Sequence, residues 1–431
     1  MNAYSIDTGI FRKYIYTMEL KNRQVDSYIF DKELTEKKMI FISGPRQIGK
    51  TTYASHLLNS RYAGVYCNWD NPLIRRKYNE DPFFFLKEYA GGTYLVIFDE
   101  IHKRIKWKDI LKGIYDSIEP QIQLLVTGSA RLEWFRKSGD SLVGRYAHFH
   151  MLPVSLSEGM GIPLKRLWLC SADDLSRPMP SLFEKIEGNK KSAEQQEILE
   201  HLFYFGGFPE PFTRSSERFL RKWKQDYISL LLTEDMRELS NIRAIDRMEQ
   251  LIDLLPERIG SPLSINSLAQ DIDSNYHTVK NSITQLEKLW LLFSVRPWSK
   301  RLNRTIKKEV KSYFTNWIYA GNEGAKFENL IATHLFRAVT LWTDCGYGTA
   351  QLWYIRNFDG GEIDFLITLD GKPLLLIESK LSKVETSKPA VNFCYKMNIP
   401  LLQVVYGPGI FKKVDKDIYI ISAAKFLSVI P

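Results

Sequence analysis

Residues 39–58 read MIFISGPRQIGKTTYASHLL, and this stretch decides the fold. An apolar strand pattern (39–43) runs into GPRQIGKT (44–51), and helical spacing follows over 52–58. The loop matches GxxxxGK[ST] in full and has the strand before it and the helix after it that a phosphate-binding loop requires. Gly44 and Gly49 let the chain wrap so that backbone N–H groups face phosphates, and the helix N-terminus adds positive potential. Gly44, Pro45, Arg46, Gln47, Ile48, Gly49, Lys50, Thr51 and Thr52 therefore form the candidate cradle for ATP. Lys50 is placed to reach the β- and γ-phosphates, and the Thr51 hydroxyl to ligate Mg2+.

Working outward, YLVIFDE (94–100) is a buried strand that delivers two carboxylates at its C-terminal end, where doubly wound sheets bind ligands. Asp99 is expected to hold Mg2+ and Glu100 to polarise the attacking water, a pairing that favours hydrolysis over storage of nucleotide. The strand IQLLVTGS (122–129) brings Thr127 or Ser129 as a polar sensor of the γ-phosphate. Arg145 precedes a further strand and is a candidate finger, in cis or across a subunit interface. His102 and Lys103 follow the acidic pair; His102 reads as a nucleotide sensor, a DNA contact or an ordinary loop histidine.

The whole chain has 431 residues, which at roughly 100–200 per domain gives two to four domains. Hydrophobic residues make up 44% and charged residues 25%, which excludes a disordered or collagen-like chain. The net charge of +9 permits an anionic partner without demanding one. Four scattered cysteines argue against a disulfide framework or zinc site, no apolar run approaches about 18 residues, and residues 1–16 lack the apolar stretch of a signal peptide. A cytoplasmic protein with no membrane partner is expected.

Four zones are distinguished along the chain. Residues 1–155 alternate strands and helices as a parallel α/β core. Residues 156–243 form a helical lid or connection, with Pro178, Pro180 and Ser181 reading as a loop. Residues 244–320 give three short helices, capped in part by Ser264 and Ser274, and two apolar segments (291–298 and 312–317), the outline of a winged helix. Val279, Ile283 and Leu286 form the third helix's inward stripe, opposite Tyr276, His277, Lys280, Asn281 and Gln285. Arg296, Lys300, Arg301, Arg304, Lys307, Lys308 and Lys311 oppose a single Glu309. With Lys280 they are candidate DNA-phosphate contacts beside a recognition helix; a protein-binding winged helix is the other reading.

Residues 321–431 carry Glu328 on a helix, Asp364 on a strand with Ile363, Phe365 and Ile367 alternating inward, and Glu378 and Lys380 on one face of LLLIESK. Asp370-Gly371 makes the turn between the two strands. In this order the acids resemble the PD-(D/E)xK nuclease fold. Asp364 and Glu378 would bind Mg2+, Glu328 would serve as a further ligand and Lys380 would position the nucleophile. An inherited fold that does not cleave is the alternative.

GPRQIGKTT (44–52), DEIHK (99–103), TGSARLEWFRKSGDSLVGR (127–145), GGFPEPF (206–212), LPERIGSPLSINSLAQDI (255–272), GAKFENLIATHLFRA (324–338) and EIDFLITLDGKPLLLIESKLS (362–382) together resemble a prokaryotic AAA+-like P-loop ATPase family with a C-terminal domain of unknown function. The resemblance covers nearly the whole chain. It implies an α/β AAA+-like ATPase core, a winged-helix middle and a restriction-endonuclease-like α/β end. Gly361, before Glu362, departs from the basic residue that relatives tend to carry there. The expected activity is Mg2+-dependent ATP hydrolysis coupled to DNA association, with an ATP-gated nuclease as one alternative. The other is a non-enzymatic nucleotide switch recruiting a protein through GGFPEPF and the helix expected over 220–239. A homo-oligomer is compatible with all three.

Overall fold

A computed structural model describes residues 23–128, 142–168, 170, 178–188, 192–235, 243–299, 309–357, 360–382 and 385–431. The first five strands are β1 (Met39–Ser43), β2 (Ala63–Asn68), β3 (Tyr94–Asp99), β4 (Ile122–Thr127) and β5 (Tyr146–His150). They form one sheet in the order β2-β3-β4-β1-β5, and every pairing is parallel. Its central strands β1, β3 and β4 are near-continuous apolar runs because both faces are covered. Ile40, Ile42, Leu95 and Ile97 enter one core, while Met39, Phe41, Val96 and Phe98 enter another on the opposite face. The strand order changes direction around β1, so the loop after it opens at the carboxyl edge, where such sheets bind ligands.

The expected loop at Pro178, Pro180 and Ser181 is instead the first turn of a helix, Pro178–Gly188. Proline fits there because the N–H groups of a first turn have no intrahelical partner in any case. The amphipathic helix Glu217–Leu230 continues through a π-turn at Leu231–Asp235. Its Trp223, Tyr227, Leu231 and Leu232 are buried in the main core, as are Phe208 and Phe212 of GGFPEPF. These apolar faces are spent within the chain rather than held out for a partner.

The middle helices are Arg243–Leu254, Ile265–Asp271 and Tyr276–Lys288. Ser264 caps the second, and Asn275, one residue beyond the expected Ser274, caps the third. The expected hairpin forms from β6 (Leu292–Pro297) and β7 (Lys311–Phe314), paired antiparallel. It does not stand apart as a free wing. β6 also pairs in parallel with β8 (Ala350–Arg356) through Arg296–Trp353 and Pro297–Tyr354. That joins it to β9 (Glu362–Leu369), β10 (Lys372–Lys380), β11 (Leu401–Val405), β12 (Phe411–Asp415) and β13 (Ile418–Ser422). The eight strands lie in the order β12-β13-β11-β10-β9-β8-β6-β7. The seam expected at 320/321 is thus bridged by the sheet, because the last two residues of β6 extend past the hairpin and find a partner in β8.

The helix Glu323–Asp344 packs across β8, β9 and β10, and Lys388–Met397 covers the other face. Asp370 and Gly371 both have positive φ, so the expected Asp-Gly turn joins β9 to β10. The expected one-sided alternation of Ile363, Phe365 and Ile367 fails. Phe365 and Ile367 face the main core, whereas Ile363 packs with Leu366 on the other side. The pairing shifts here, three steps along β9 (Leu366 to Ile363) matching two along β8 (Trp353 to Ile355), so an extra β9 residue turns Ile363 to the side of Leu366.

Candidate functional site

The phosphate loop is held by close backbone approach. Gly44 has φ 153°, and a Cβ there would lie 2.1 Å from the Met151 carbonyl oxygen. Gly49 has φ 96° and starts the helix Lys50–Ser60. Both conformations are costly for residues with a side chain, which accounts for the two fixed glycines. The Lys50 ammonium is buried and donates to the carbonyls of Gly44 (2.9 Å) and Pro45 (2.6 Å).

Asp99, at the carboxyl end of β3, is surrounded by hydroxyls. Thr51 Oγ1 donates to Oδ2 at 2.9 Å and Thr127 Oγ1 to Oδ1 at 2.6 Å. The Tyr66 hydroxyl also donates to Oδ2. Thr51 is exposed, so the hydroxyl and carboxylate expected to meet Mg2+ sit together at an open edge. These hard oxygen donors fit a magnesium ion. Tyr66 escaped the sequence reading because β2 carries no motif; only register with β3 brings it beside Asp99.

Glu100 follows in the left-handed region at φ 58°, and its N–H donates to the Thr127 carbonyl. The chain turns sharply there, so β3 ends at Asp99 and the two carboxylates take different surroundings. Burial pushes the Glu100 carboxyl up to about 7; Lys50 opposes this and Asp99 adds to it. The buried His102 places Nε2 3.3 Å from Glu100 Oε2, so it belongs to this site rather than to an exposed DNA-facing loop.

Arg145 lies at the other end of the sheet. Its carbonyl accepts from the Met39 N–H before β1 begins, and its Nε pairs with Asp116 at 3.1 Å. At about 3.3 Å per residue, the five residues of β1 separate it from the loop by about 15 Å. Arg145 therefore does not serve the phosphate loop of its own chain. Ser129 lies outside the described residues.

A buried ionic group braces the loop from behind. Arg23 donates Nη1 to the Ile48 carbonyl at 2.8 Å, Nη2 to the Leu152 carbonyl at 2.6 Å and Nε to Glu158 at 2.9 Å. Arg337, from the long helix Glu323–Asp344, pairs with the same carboxylate at 3.2 Å and donates to the Pro153 carbonyl at 3.0 Å. Burial would raise the Glu158 carboxyl, but the two guanidinium groups and the Gln24 N–H outweigh it and hold it at about 2. No spacing in the sequence announces this contact across more than 300 residues.

In the C-terminal unit, Glu328, Asp364, Glu378 and Lys380 come together as expected. Ser379 N–H and Oγ donate to Asp364 Oδ2 at 2.8 and 2.9 Å, and Lys380 lies 3.2 Å from Glu378. Two members were missed. Glu362 joins the cluster, and Lys311, expected on an exposed basic loop, points into it with only 1% of its side chain exposed. β7 is buried along its whole length, so its first residue turns inward with the rest. Lys280 and Arg296 are exposed, whereas Lys300, Arg301, Arg304, Lys307 and Lys308 lie outside the described residues.

Residues 36–160 match the family described as an AAA domain. The N-terminal unit is a P-loop core of the AAA type. Residues 196–317 match a domain of unknown function (DUF8612), which straddles the boundary expected at 243/244. Uncharacterized proteins of Mycobacterium bovis and Mycobacterium tuberculosis are each 21% identical over 386 residues, covering 86% of this chain and 76% of theirs. An uncharacterized protein of Methanocaldococcus jannaschii is 25% identical over 319 residues, 69% of this chain and 64% of its own. The solved structure of C. elegans PCH-2 overlaps 64% of this chain and 71% of its own at 15% identity, with a TM-score of 0.25, an overlap too loose to assign a shared architecture. No helix among the described residues is long and apolar enough to cross a membrane.

Proposed function

We propose that the protein is a Mg2+-dependent ATPase that associates with DNA. The observation that carries the hydrolytic reading is the joint placement of Thr51, Asp99, Thr127 and Glu100 at the carboxyl edge of β3 and β4. Phosphate binding exchanges the two backbone acceptors of Lys50 for phosphate oxygens, as the loop N–H groups close around the same anion. Thr51 and Asp99 would hold the metal, which when bound neutralises phosphate charge. Thr127 fixes the Asp99 carboxylate and, through its carbonyl, the backbone of Glu100. Glu100, desolvated but within the field of Lys50, is suited to take a proton from the attacking water. Arg145 is proposed to act only in trans, on the site of a neighbouring copy.

The test is ATP turnover with Mg2+, with and without Lys50→Ala. Lys50→Ala is expected to abolish nucleotide binding and turnover together. Tight ATP binding by the wild type with no turnover, with or without DNA, would instead favour a non-hydrolysing switch.

The DNA reading is supported by the exposed face of the helix Tyr276–Lys288, which presents Tyr276, His277, Lys280 and Asn281, and by exposed Arg296. Binding measured by fluorescence anisotropy should weaken steeply with salt. Lys280→Ala and Arg296→Ala should each lower the salt slope by about 1. Affinity indifferent to salt and to both changes sinks this part of the proposal.

A further inference from the structure

The carboxylates that read as a nuclease metal site already hold a cation. Lys311 Nζ lies 2.6 Å from Glu362 Oε1, 3.3 Å from Glu328 Oε1 and 3.9 Å from Asp364 Oδ1. It is reached only from within the fold, being almost wholly buried. Several of these carboxylate oxygens have further partners. Glu328 Oε1 also accepts from the Tyr313 hydroxyl at 2.7 Å, and Asp364 Oδ2 accepts twice from Ser379. Glu378 is divided between Lys380 on Oε1 and the Ser387 hydroxyl on Oε2, each at 3.2 Å. Among the described residues, no three His, Cys, Asp or Glu side chains are placed to hold a metal ion. The donor set is right for a divalent cation and its arrangement is not.

We propose that the Lys311 ammonium is the resident cation of this cluster, standing where the nuclease pattern requires a divalent ion, so that the C-terminal unit does not cut phosphodiester bonds. The physical ground is charge and space. A divalent ion needs several oxygens at about 2.0–2.6 Å, and its entry would bring two further charges beside a buried ammonium. An ammonium donates up to three hydrogen bonds; Glu362 and Glu328 lie within hydrogen-bond reach of Lys311, and Asp364 faces it as an ion-pair partner at 3.9 Å. Its origin on β7 gives it a second consequence. One side chain ties the hairpin to the helix Glu323–Asp344 through Glu328 and to β9 through Glu362 and Asp364. The inference does not depend on the ATPase reading.

Mn2+ binding to the full nucleotide-free chain, followed by electron paramagnetic resonance of the free ion, tests it. The wild type should show no Mn2+ site that Asp364→Asn removes, and plasmid DNA should survive incubation with the wild type and Mn2+. Lys311→Met should gain one Mn2+ site, and adding Asp364→Asn should remove it. Lys311→Met combined with Glu362→Gln carries less unbalanced charge and serves if the single variant does not fold. The proposal is overturned by a wild-type Mn2+ site lost in Asp364→Asn, or by wild-type cleavage lost in the same variant. A folded Lys311 variant that gains no site overturns it equally.

Discussion

Replacing Glu100 by Gln is expected to slow ATP turnover by about 100- to 10,000-fold while leaving nucleotide binding little changed. The amide keeps the shape of the side chain and its place in the left-handed turn after Asp99, but cannot take a proton. Lys50, Thr51 and Asp99, proposed to hold the nucleotide and its metal, are untouched. The same residue sets the pH dependence. Burial lifts the Glu100 carboxyl to about 7, and only the deprotonated form is a base. In the wild type, kcat/KM should therefore rise with pH up to about 7 and level off above it. Glu100→Gln should flatten that limb of the profile as well as lower the rate. Turnover by Glu100→Gln close to the wild-type rate would remove Glu100 from the mechanism.

The second large effect concerns stability. Glu158→Ala should cost about 3–5 kcal/mol, because it leaves Arg23 and Arg337 buried and facing each other without their shared carboxylate. Urea denaturation of the two proteins at neutral pH measures it. Substituting Arg23, Glu158 and Arg337 together by apolar residues of similar volume should recover much of the loss, since buried ion groups contribute little over well-packed hydrophobic ones. The pH sign follows from the depressed carboxyl. Its contribution is complete above its ordinary value of 4.5 and is lost as pH falls toward about 2. The stability gap between wild type and Glu158→Gln should narrow in acid. A gap that stays constant there, or a Glu158→Ala protein as stable as the wild type, would show the group to be dispensable.

The phosphate site was legible because its chemistry is local. Residues 44–52 form one contiguous run and 99–100 another, and each motif carries its expected geometry within itself. Tyr66 and Arg23 were not legible. Each reaches the site only through packing, Tyr66 through strand register and Arg23 from a segment that precedes the sheet. The C-terminal acids were found by their order along the chain, yet the charge that decides their use was read with the wrong group. Lys311 sits among cations in sequence, and only the burial of β7 separates it from them. Arg145 is different: in a parallel sheet a residue just before a strand lies at the amino edge, opposite the loop after β1, so its distance from that loop follows from its place in the chain. The sheet's bridging of the seam at 320/321 was not legible, since pairing of β6 with β8 involves residues more than 50 positions apart.

That pairing has a practical consequence for dissecting the molecule. A fragment beginning at residue 321 would keep β8 but lose β6, so one edge of the sheet would present unpaired N–H and C=O groups to solvent. Such an edge is a template for intermolecular strand addition. The fragment would also leave Glu328, Glu362 and Asp364 without Lys311. Aggregation of a carboxyl-terminal piece cut there would say little about the protein, and any metal it captured could be an artefact of the cut. A fragment that begins before the helix Arg243–Leu254 keeps the hairpin, the lysine and the acids it serves in one unit.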